Sequence, residues 1–391
     1  MATLLLVLIY ISYVSLGLPD SLLGAAWPVM RLDLHMPLSA AGILSMLLTG
    51  GTMISGLLSS MAIRKIGTVR IVFFCILLTA ASLYGFSVAP SFRWLCVLTL
   101  ILGLGGGAVD AALNNFVALH YTAKHMSWLH CLWGIGATAG PLIMSLWIMN
   151  PNGWRKGYFM IAALQFGLIL ILSFSGTLWK NRGAPWSTDG TDGGAKGAKT
   201  NPFGIRGGKV AMLSFFCYCA IETTTGLWGS SYLVNGKGVS ADLAAQWVSF
   251  FYLGITVGRF ISGVGAIKFS NQSLMRIGLL TMAVGILIFL PTLPHTACLI
   301  GFVLIGLGGA PLYPCMLHDT PKKFGAGMSQ AMMGIEMAAA SLGSTCMPPL
   351  FGYLAAFLSA AIFPVYLLVL LFVNFICVES GPKYIGLNSG H

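Results

Sequence analysis

Charged residues are scarce in this sequence. Only 8% of its 391 residues are Asp, Glu, Lys or Arg, and only 10 residues are acidic. Soluble globular domains carry about 25% charged residues. A chain of this length with so little charge cannot cover its surface as a water-soluble protein does. The shortage therefore excludes a soluble globular enzyme or binding domain as the whole of the protein.

Patterns that hold metals or mark a cleaved leader are also missing. The nine cysteines include no Cys-x-x-Cys pair, and Cys217 and Cys219 are two positions apart, so their thiols point in different directions around a helix. We expect small buried thiols, no metal and no other cofactor. The first apolar segment lacks a preceding basic stretch and contains Pro19 and Asp20, which favours a retained helix over a signal peptide.

Long apolar runs fill most of the chain, since 57% of the residues are hydrophobic. A membrane-spanning helix needs about 20 mainly apolar residues. Twelve such runs can be placed, which predicts an all-α membrane protein with twelve transmembrane helices. The predicted spans are 3–26, 38–61, 69–89, 93–121, 126–149, 156–179, 208–234, 241–266, 273–291, 294–318, 326–353 and 359–378.

The net charge of +11 is explained by membrane topology and not by a nucleic-acid partner. The basic residues fall in short loops between the apolar runs. With both termini inside, fifteen Lys and Arg lie on the inner side, five on the outer side, and Arg259 inside a span. Because cytoplasmic loops carry the excess of positive charge, we expect cytoplasmic N and C termini. The predicted protein is a monomer in the lipid bilayer of the cell membrane.

One polar segment divides the chain into two similar halves. Gly, Ser, Thr and Lys dominate residues 181–207, which predicts a cytoplasmic linker. The sequence TGGTMISG (49–56) matches TVGRFISG (256–263) at an offset of 207 residues. Such a duplication is typical of transporters with a site at the repeat interface. The predicted domains are two pseudo-symmetric six-helix bundles, 1–180 and 208–380, and a cytoplasmic tail, 381–391.

Two predicted helices carry matching stripes of aromatic, acidic and small residues. In span one, Tyr13 and Asp20 share a helical face, and in span seven Tyr218, Glu222 and Thr225 do the same. Aromatic rings cover the C–H faces of a ligand, while carboxylates orient its hydroxyl groups. The alternative is that the aromatic residues lie in the membrane-interface belt and the small residues serve helix packing.

Asp110 lies inside the apolar run of span four. A charged carboxylate facing lipid would cost at least about 2.5–3.5 kcal/mol, so the side chain must face the bundle interior, be paired, or carry a proton. Asp110 and Asn114 share one stripe, with Asn115 beside it. A carboxyl group that gains and loses a proton as the site opens to each side suits a proton-coupled carrier. A structural hydrogen bond between helices is the alternative.

Three further ionisable groups lie in predicted spans. Arg259 and Glu336 occupy the cytoplasmic halves of spans eight and eleven, at depths that permit an ion pair or a gate. A histidine side chain ordinarily titrates near neutral pH, so His130 in span five could relay protons, or it could serve helix packing alone.

Several local patterns resemble the major facilitator superfamily, and within it the fucose permease type of sugar-proton symporters. They are GLPDSLLGAAWP in span one, VDAALNNF in span four, LHCLWGIGATAGP in span five, ETTTGLWGSSYL in span seven and APLYP in span ten. The resemblance implies sugar binding and proton coupling by Asp20 and Asp110. The expected substrate-binding residues are Tyr13, Asp20, Asn114, Asn115, His130, Trp133, Tyr218, Glu222, Thr225, Trp228 and Tyr313.

Two motifs depart from the superfamily's usual pattern. In SMAIRKIG (60–67), Ser60 and Arg64 replace the Gly and Asp of the loop between spans two and three. GATAGP (136–141) resembles the start of the antiporter motif, but Met144 and Ser145 replace its final glycines.

We expect a secondary transporter, not an enzyme, that imports a small polar solute, a monosaccharide, with a proton by alternating access. The alternative is a proton-coupled exporter of amphiphilic compounds.

Overall fold

The computed structural model describes residues 2–121, 123–175, 207–290 and 294–385. These residues form fourteen α-helices and one short 3-10 helix, and no strand occurs among them. The α-helices are α1 (Ala2–Asp20), α2 (Leu22–Asp33), α3 (Ala40–Ile66), α4 (Thr68–Val88), α5 (Phe92–His120), α6 (Ala123–Ser145), α7 (Gly153–Ser173), α8 (Gly208–Lys237), α9 (Ala241–Gly265), α10 (Asn271–Leu287), α11 (Ala297–Gly309), α12 (Leu312–Phe324), α13 (Ala326–Phe357) and α14 (Phe363–Ile385).

Nine helical segments of the described ranges are long and apolar enough to cross a membrane. They are Thr3–Asp33, Ala40–Ser59, Thr68–Val88, Phe92–Val117, Gly153–Ser173, Gly208–Lys237, Ala241–Gly265, Ala297–Phe324 and Ala360–Ser380. The predicted all-helical membrane class is confirmed. Helices α6, α10 and α13 occupy the positions of the three other predicted spans, but they are not among the nine.

The first span differs from the predicted continuous helix over 3–26. It consists of α1 and α2, which meet at Ser21, and it continues to Asp33. Pro19 lies just before the break. Its ring nitrogen carries no N–H, so the carbonyl of Ser15 loses its partner within the helix. The break leaves Asp20 as the last residue of α1.

The tenth span, predicted as one helix over 294–318, is also divided. Helix α11 ends at Gly309 and α12 begins at Leu312. Pro311 lies between them, and proline is accepted at the start of a helix but not in its interior. The proline therefore begins a new helix, which runs on to Phe324, beyond the predicted end.

The two groups of helices, α1–α7 and α8–α14, pack by equivalent pairs. Helix α3 packs on α5 as α9 packs on α11, α1 packs on α6 as α8 packs on α13, and α4 packs on α7 as α10 packs on α14. This correspondence agrees with the duplication predicted from the sequence. The linker predicted over 181–207 lies outside the described residues except for Gly207, and so does the tail from residue 386 onward.

Matching glycines allow the close approach in one such pair. A Cβ atom on Gly51 would lie 2.7 Å from the carbonyl oxygen of Leu100, and a Cβ on Gly258 would lie 2.9 Å from that of Leu307. The two contacts are related by the offset of 207 residues found in the sequence. In lipid the hydrophobic effect does not drive helices to associate, so they associate through close packing. Small residues allow this because they let the helix backbones come into contact.

The main contacts between the two groups, as far as the described residues show, join α2 with α8, α2 with α9, α3 with α13 and α6 with α9. At the end of the molecule that contains Arg31, the contact is tight. Gly24 packs against the carbonyl of Gly226, and the Arg31 guanidinium donates to Asn235 Oδ1 at 3.0 Å. Farther along, Gly56 of α3 and Gly334 of α13 have no atom within 4 Å of a Cβ position. The groups are thus in close contact at the Arg31 end, and neither of these two glycines takes part in a contact between them.

Candidate functional site

A cavity of about 260 Å³ lies inside the first group of helices. Its wall contains leucine, glycine and proline residues together with six residues that carry polar atoms. These six are Asp20, Thr52, Thr79, Asp110, Trp133 and Gln165. The wall includes no described residue of α8–α14. Sequence reasoning predicted a site shared by both halves, whereas this cavity is built by α1, α3, α4, α5, α6 and α7 alone.

Asp110 is held by two hydrogen bonds to one of its oxygens. The Tyr13 hydroxyl donates to Asp110 Oδ1 at 2.7 Å, and Asn114 Nδ2 donates to the same atom at 3.0 Å. No hydrogen bond to Oδ2 was found in the described part of the chain. The fold thus brings the stripe of span one onto the stripe of span four. One oxygen is fixed in place, and the other is available to a proton or a ligand.

Asp20 lies on the cavity wall at the break between α1 and α2. The indole Nε1–H of Trp133 donates to Asp20 Oδ2 at 2.8 Å. Asp20 and Asp110 are within electrostatic range of each other. Two like charges in one cavity repel each other, and a bound cation relieves that repulsion. Cation binding to the two carboxylates can therefore be coupled to the conformation of the cavity.

The break in span one is stabilised by an amide that sequence reasoning missed. Gln165 is buried on α7, and its Nε2 donates to the Ser15 carbonyl at 2.9 Å. That carbonyl is the one that Pro19 leaves without a helical partner. Thr79 of α4 donates to Gln165 Oε1 at 3.0 Å. The available signal was a lone Gln in an apolar run together with a proline inside a span.

Replacing Gln165 with Leu should destabilise the protein and weaken substrate binding. The change leaves the Ser15 carbonyl buried without a partner, which costs about 1–3 kcal/mol, and it frees the end of α1 that carries Asp20. We expect a lower thermal unfolding midpoint in detergent and a higher KM for transport. Gln246→Leu on α9 is the matched control, because no side-chain hydrogen bond of Gln246 occurs in the described ranges. Equal midpoints for the two variants would contradict the assigned role.

His130 and Asn115 lie near this cavity but do not line it. The His130 ring meets the Tyr13 ring edge to face, with 6.0 Å between centroids. His130 is exposed, and Asn115 is half-buried. Their positions leave the predicted binding roles as proposals.

The second group of helices contributes a cluster that faces the first. Tyr218 of α8 and Tyr313 of α12 have ring centroids 6.3 Å apart. Glu222 and Arg259 both lie within electrostatic range of these two tyrosines. The Arg259 guanidinium lies 5.6 Å from the centre of the Trp133 ring, across the boundary between the groups. Predicted residues of both halves thus approach each other at Trp133.

Two predicted binding residues of span seven, Trp228 and Thr225, are buried in this structure. Trp228 is fully buried against Phe351, and its Nε1–H donates to the Pro348 carbonyl at 2.8 Å. Thr225 is fully buried as well. Neither side chain lines the cavity described above, and their predicted roles in binding stay predictions.

Arg259 and Glu336 do not pair in this structure. Glu336 is buried and accepts a hydrogen bond from the Thr320 hydroxyl at 2.7 Å. Among the described residues, the salt bridges are Arg276–Glu379 and His318–Asp319. The same ranges contain no group of three or more metal-ligating side chains.

Comparison with known proteins identifies the family. The sequence profile of the Major Facilitator Superfamily matches residues 9–263 and 210–383. The chain belongs to this superfamily. This membership confirms the predicted family, whose members are multi-pass membrane transporters and not enzymes. Its relatives are themselves described as transporters.

Two curated relatives of this superfamily member transport named solutes. The glucose/mannose transporter GlcP of Bacillus subtilis is 25% identical over 273 residues, which cover 67% of this chain and 66% of that protein. The cis,cis-muconate transport protein of Acinetobacter baylyi is 24% identical over 279 residues, which cover 67% of this chain and 64% of that protein. The chain thus spans slightly less than two thirds of the length of each relative.

Solved structures of the superfamily share the fold along the whole chain. A D-xylose-proton symporter superposes with a TM-score of 0.74 at 15% identity, covering 97% of both chains. The nucleoside transporter NupG superposes with a TM-score of 0.76 at 12% identity, covering 99% of this chain and 100% of that one. At such low identity these structures bear on the fold alone.

Proposed function

We propose that this protein imports a solute of the monosaccharide class together with a proton, by alternating access. In this proposal it has twelve spans with both termini in the cytoplasm, and the two six-helix bundles, 1–180 and 208–380, rock about the centre of the molecule. The end closed by Arg31 and Asn235 then faces outward, and the opposite end faces the cytoplasm.

The observation that carries the proposal is the cavity with two carboxylates in its wall. Its volume of about 260 Å³ is near the lower end of the roughly 300–1,000 Å³ typical of ligand pockets. This size favours a small solute over a large amphiphile. Asp20, Gln165 and Thr52 can exchange hydrogen bonds with hydroxyl groups, while Trp133 and the leucines cover apolar faces.

Asp110 is the proposed proton site and Asp20 the site shared by proton and solute. Protonation removes the repulsion between the two carboxylates and lowers the cost of moving the loaded cavity through an apolar barrier. The similarity to a glucose/mannose transporter supports the solute class.

The test is internal pH in proteoliposomes that contain the purified protein. Neutral and acidic monosaccharides are added outside one at a time, without a preset gradient. Internal acidification with a sugar, together with uptake of that sugar, supports symport. Uptake of labelled sugar without acidification would leave facilitated diffusion, and absence of both would overturn the proposal in favour of export.

A further inference from the structure

Arg259 carries a positive charge inside a span, and its guanidinium forms no ion pair and no hydrogen bond with the described residues. It is half-buried on α9. Neither of the two salt bridges of the described residues involves it, and the hydrogen bond found at this residue uses its backbone carbonyl. Other arginines have polar partners: Arg31 donates to Asn235, Arg155 to the Ala89 carbonyl, and Arg276 to Glu379. A guanidinium without a partner is costly at such a depth and marks a functional position.

The charge lies where helices of both groups meet. Arg259 is above the ring of Trp133 on α6, and it is within electrostatic range of His130, Tyr218 and Tyr313. Glu222 lies within electrostatic range of the same two tyrosines, so the chain has a carboxylate of its own near Arg259. It forms no salt bridge with Arg259 in the described residues, where the ion pairs lie elsewhere.

We propose that Arg259 binds a carboxylate group of the transported solute, so that the substrate is a sugar acid such as a uronate or an aldonate. This inference rests on the proposed function and narrows its substrate class. The planar guanidinium presents paired N–H donors that match a carboxylate in two parallel hydrogen bonds. A neutral sugar would leave this charge without a partner.

Trp133 joins the two parts of this binding site. Its Nε1–H donates to Asp20 on the cavity wall, while its ring face is turned to Arg259. One indole therefore separates the hydroxyl-binding wall from the cation. A sugar acid has the same arrangement, because its hydroxyl groups lie along the carbon chain and its carboxylate lies at one end.

The charge carried per cycle distinguishes a sugar acid from a neutral sugar. One monoanion moving with one proton transfers no net charge, whereas one neutral sugar with one proton transfers a single positive charge. Uptake of a sugar acid should respond to a pH difference and not to membrane potential. Uptake of a neutral sugar should respond to both.

The experiment measures uptake of labelled D-glucuronate, D-gluconate and D-glucose by proteoliposomes under a pH difference or a potassium diffusion potential. We expect uptake of an acid, driven by the pH difference alone. In Arg259→Gln the KM for the acid should rise about 10- to 100-fold, as expected from loss of charged hydrogen bonds. Arg259→Lys keeps the charge without the paired donors and should give a smaller rise.

Two controls separate the outcomes. Arg276→Gln removes an exposed arginine far from the site, where an ion pair contributes little, and should leave the KM unchanged. Thermal unfolding of each variant shows whether it is folded.

Uptake of D-glucose with a proton, no uptake of either acid, and an unchanged KM for glucose in folded Arg259→Gln would overturn this inference and leave the proposed function intact. If the protein transports neither these three solutes nor any other monosaccharide, the proposed function is overturned, and the inference with it. If Arg259→Gln does not fold, two other results decide the inference. They are the KM of Arg259→Lys and whether uptake by the wild-type protein responds to membrane potential.

Discussion

Replacing Asp110 with Asn should abolish accumulation of the solute while exchange continues. A pH difference of one unit can support about tenfold accumulation when one proton is coupled, because one pH unit corresponds to about 1.4 kcal/mol. Without a protonatable group the internal and external concentrations should become equal. The measurement is labelled solute in proteoliposomes, first under a pH gradient and then as exchange against unlabelled solute.

The Asp110→Asn variant distinguishes a role of Asp110 in proton binding from a role in holding the helices together. Asn retains the Oδ1 atom that accepts from Tyr13 and Asn114, so the contact between α1 and α5 is kept. Only the ionisable oxygen is lost. Asp242→Asn, in the first turn of α9, is the matched control and should accumulate normally. If Asp110→Asn loses accumulation and exchange together with its thermal stability, Asp110 serves the fold instead of coupling.

A disulfide between positions 49 and 345 should stop transport. The Thr345 hydroxyl donates to the Thr49 hydroxyl at 3.2 Å, so the two side chains are in direct contact, as the side chains joined by a disulfide must be. Thr49 lies on α3 and Thr345 on α13, in different groups of helices. In alternating access these helices must part, so the bond should hold the carrier in the conformation seen here.

The cross-link test uses Thr49→Cys/Thr345→Cys in a background in which the exposed Cys346 is replaced by Ser. After oxidation, uptake should fall to that of empty vesicles, and a reducing agent should restore it. Each single-cysteine variant should transport with or without oxidant. Full transport by a completely cross-linked protein would show that α3 and α13 do not separate at this level.

Much of the candidate site could be predicted because it lies on local patterns. Asp110 and Asn114 are one helical turn apart, so their hydrogen bond follows from spacing within a single helix. Asp20 and Trp133 were recognised as candidates on separate spans. Their bond joins residues far apart in the sequence, and no periodicity specifies such a pair.

Other parts of the site had no local signal. Gln165 and Thr79 form one network with the Ser15 carbonyl, but each is a single polar residue in an apolar run. The expected pair of Arg259 and Glu336 matched in depth along the spans. The depth of a residue in the membrane does not specify the direction in which its side chain points from the helix. The Glu336 side chain points to Thr320.

The sequence by itself determined the membrane class, the approximate limits of the helices and the repeat of 207 residues. These properties depend on runs of apolar residues and on small residues at regular spacing, and both are local. Only the tertiary structure decided that the cavity belongs to the first half and that Trp133 links Asp20 to Arg259. Those contacts depend on how closely neighbouring helices approach and how each is rotated, and packing over the whole bundle sets both.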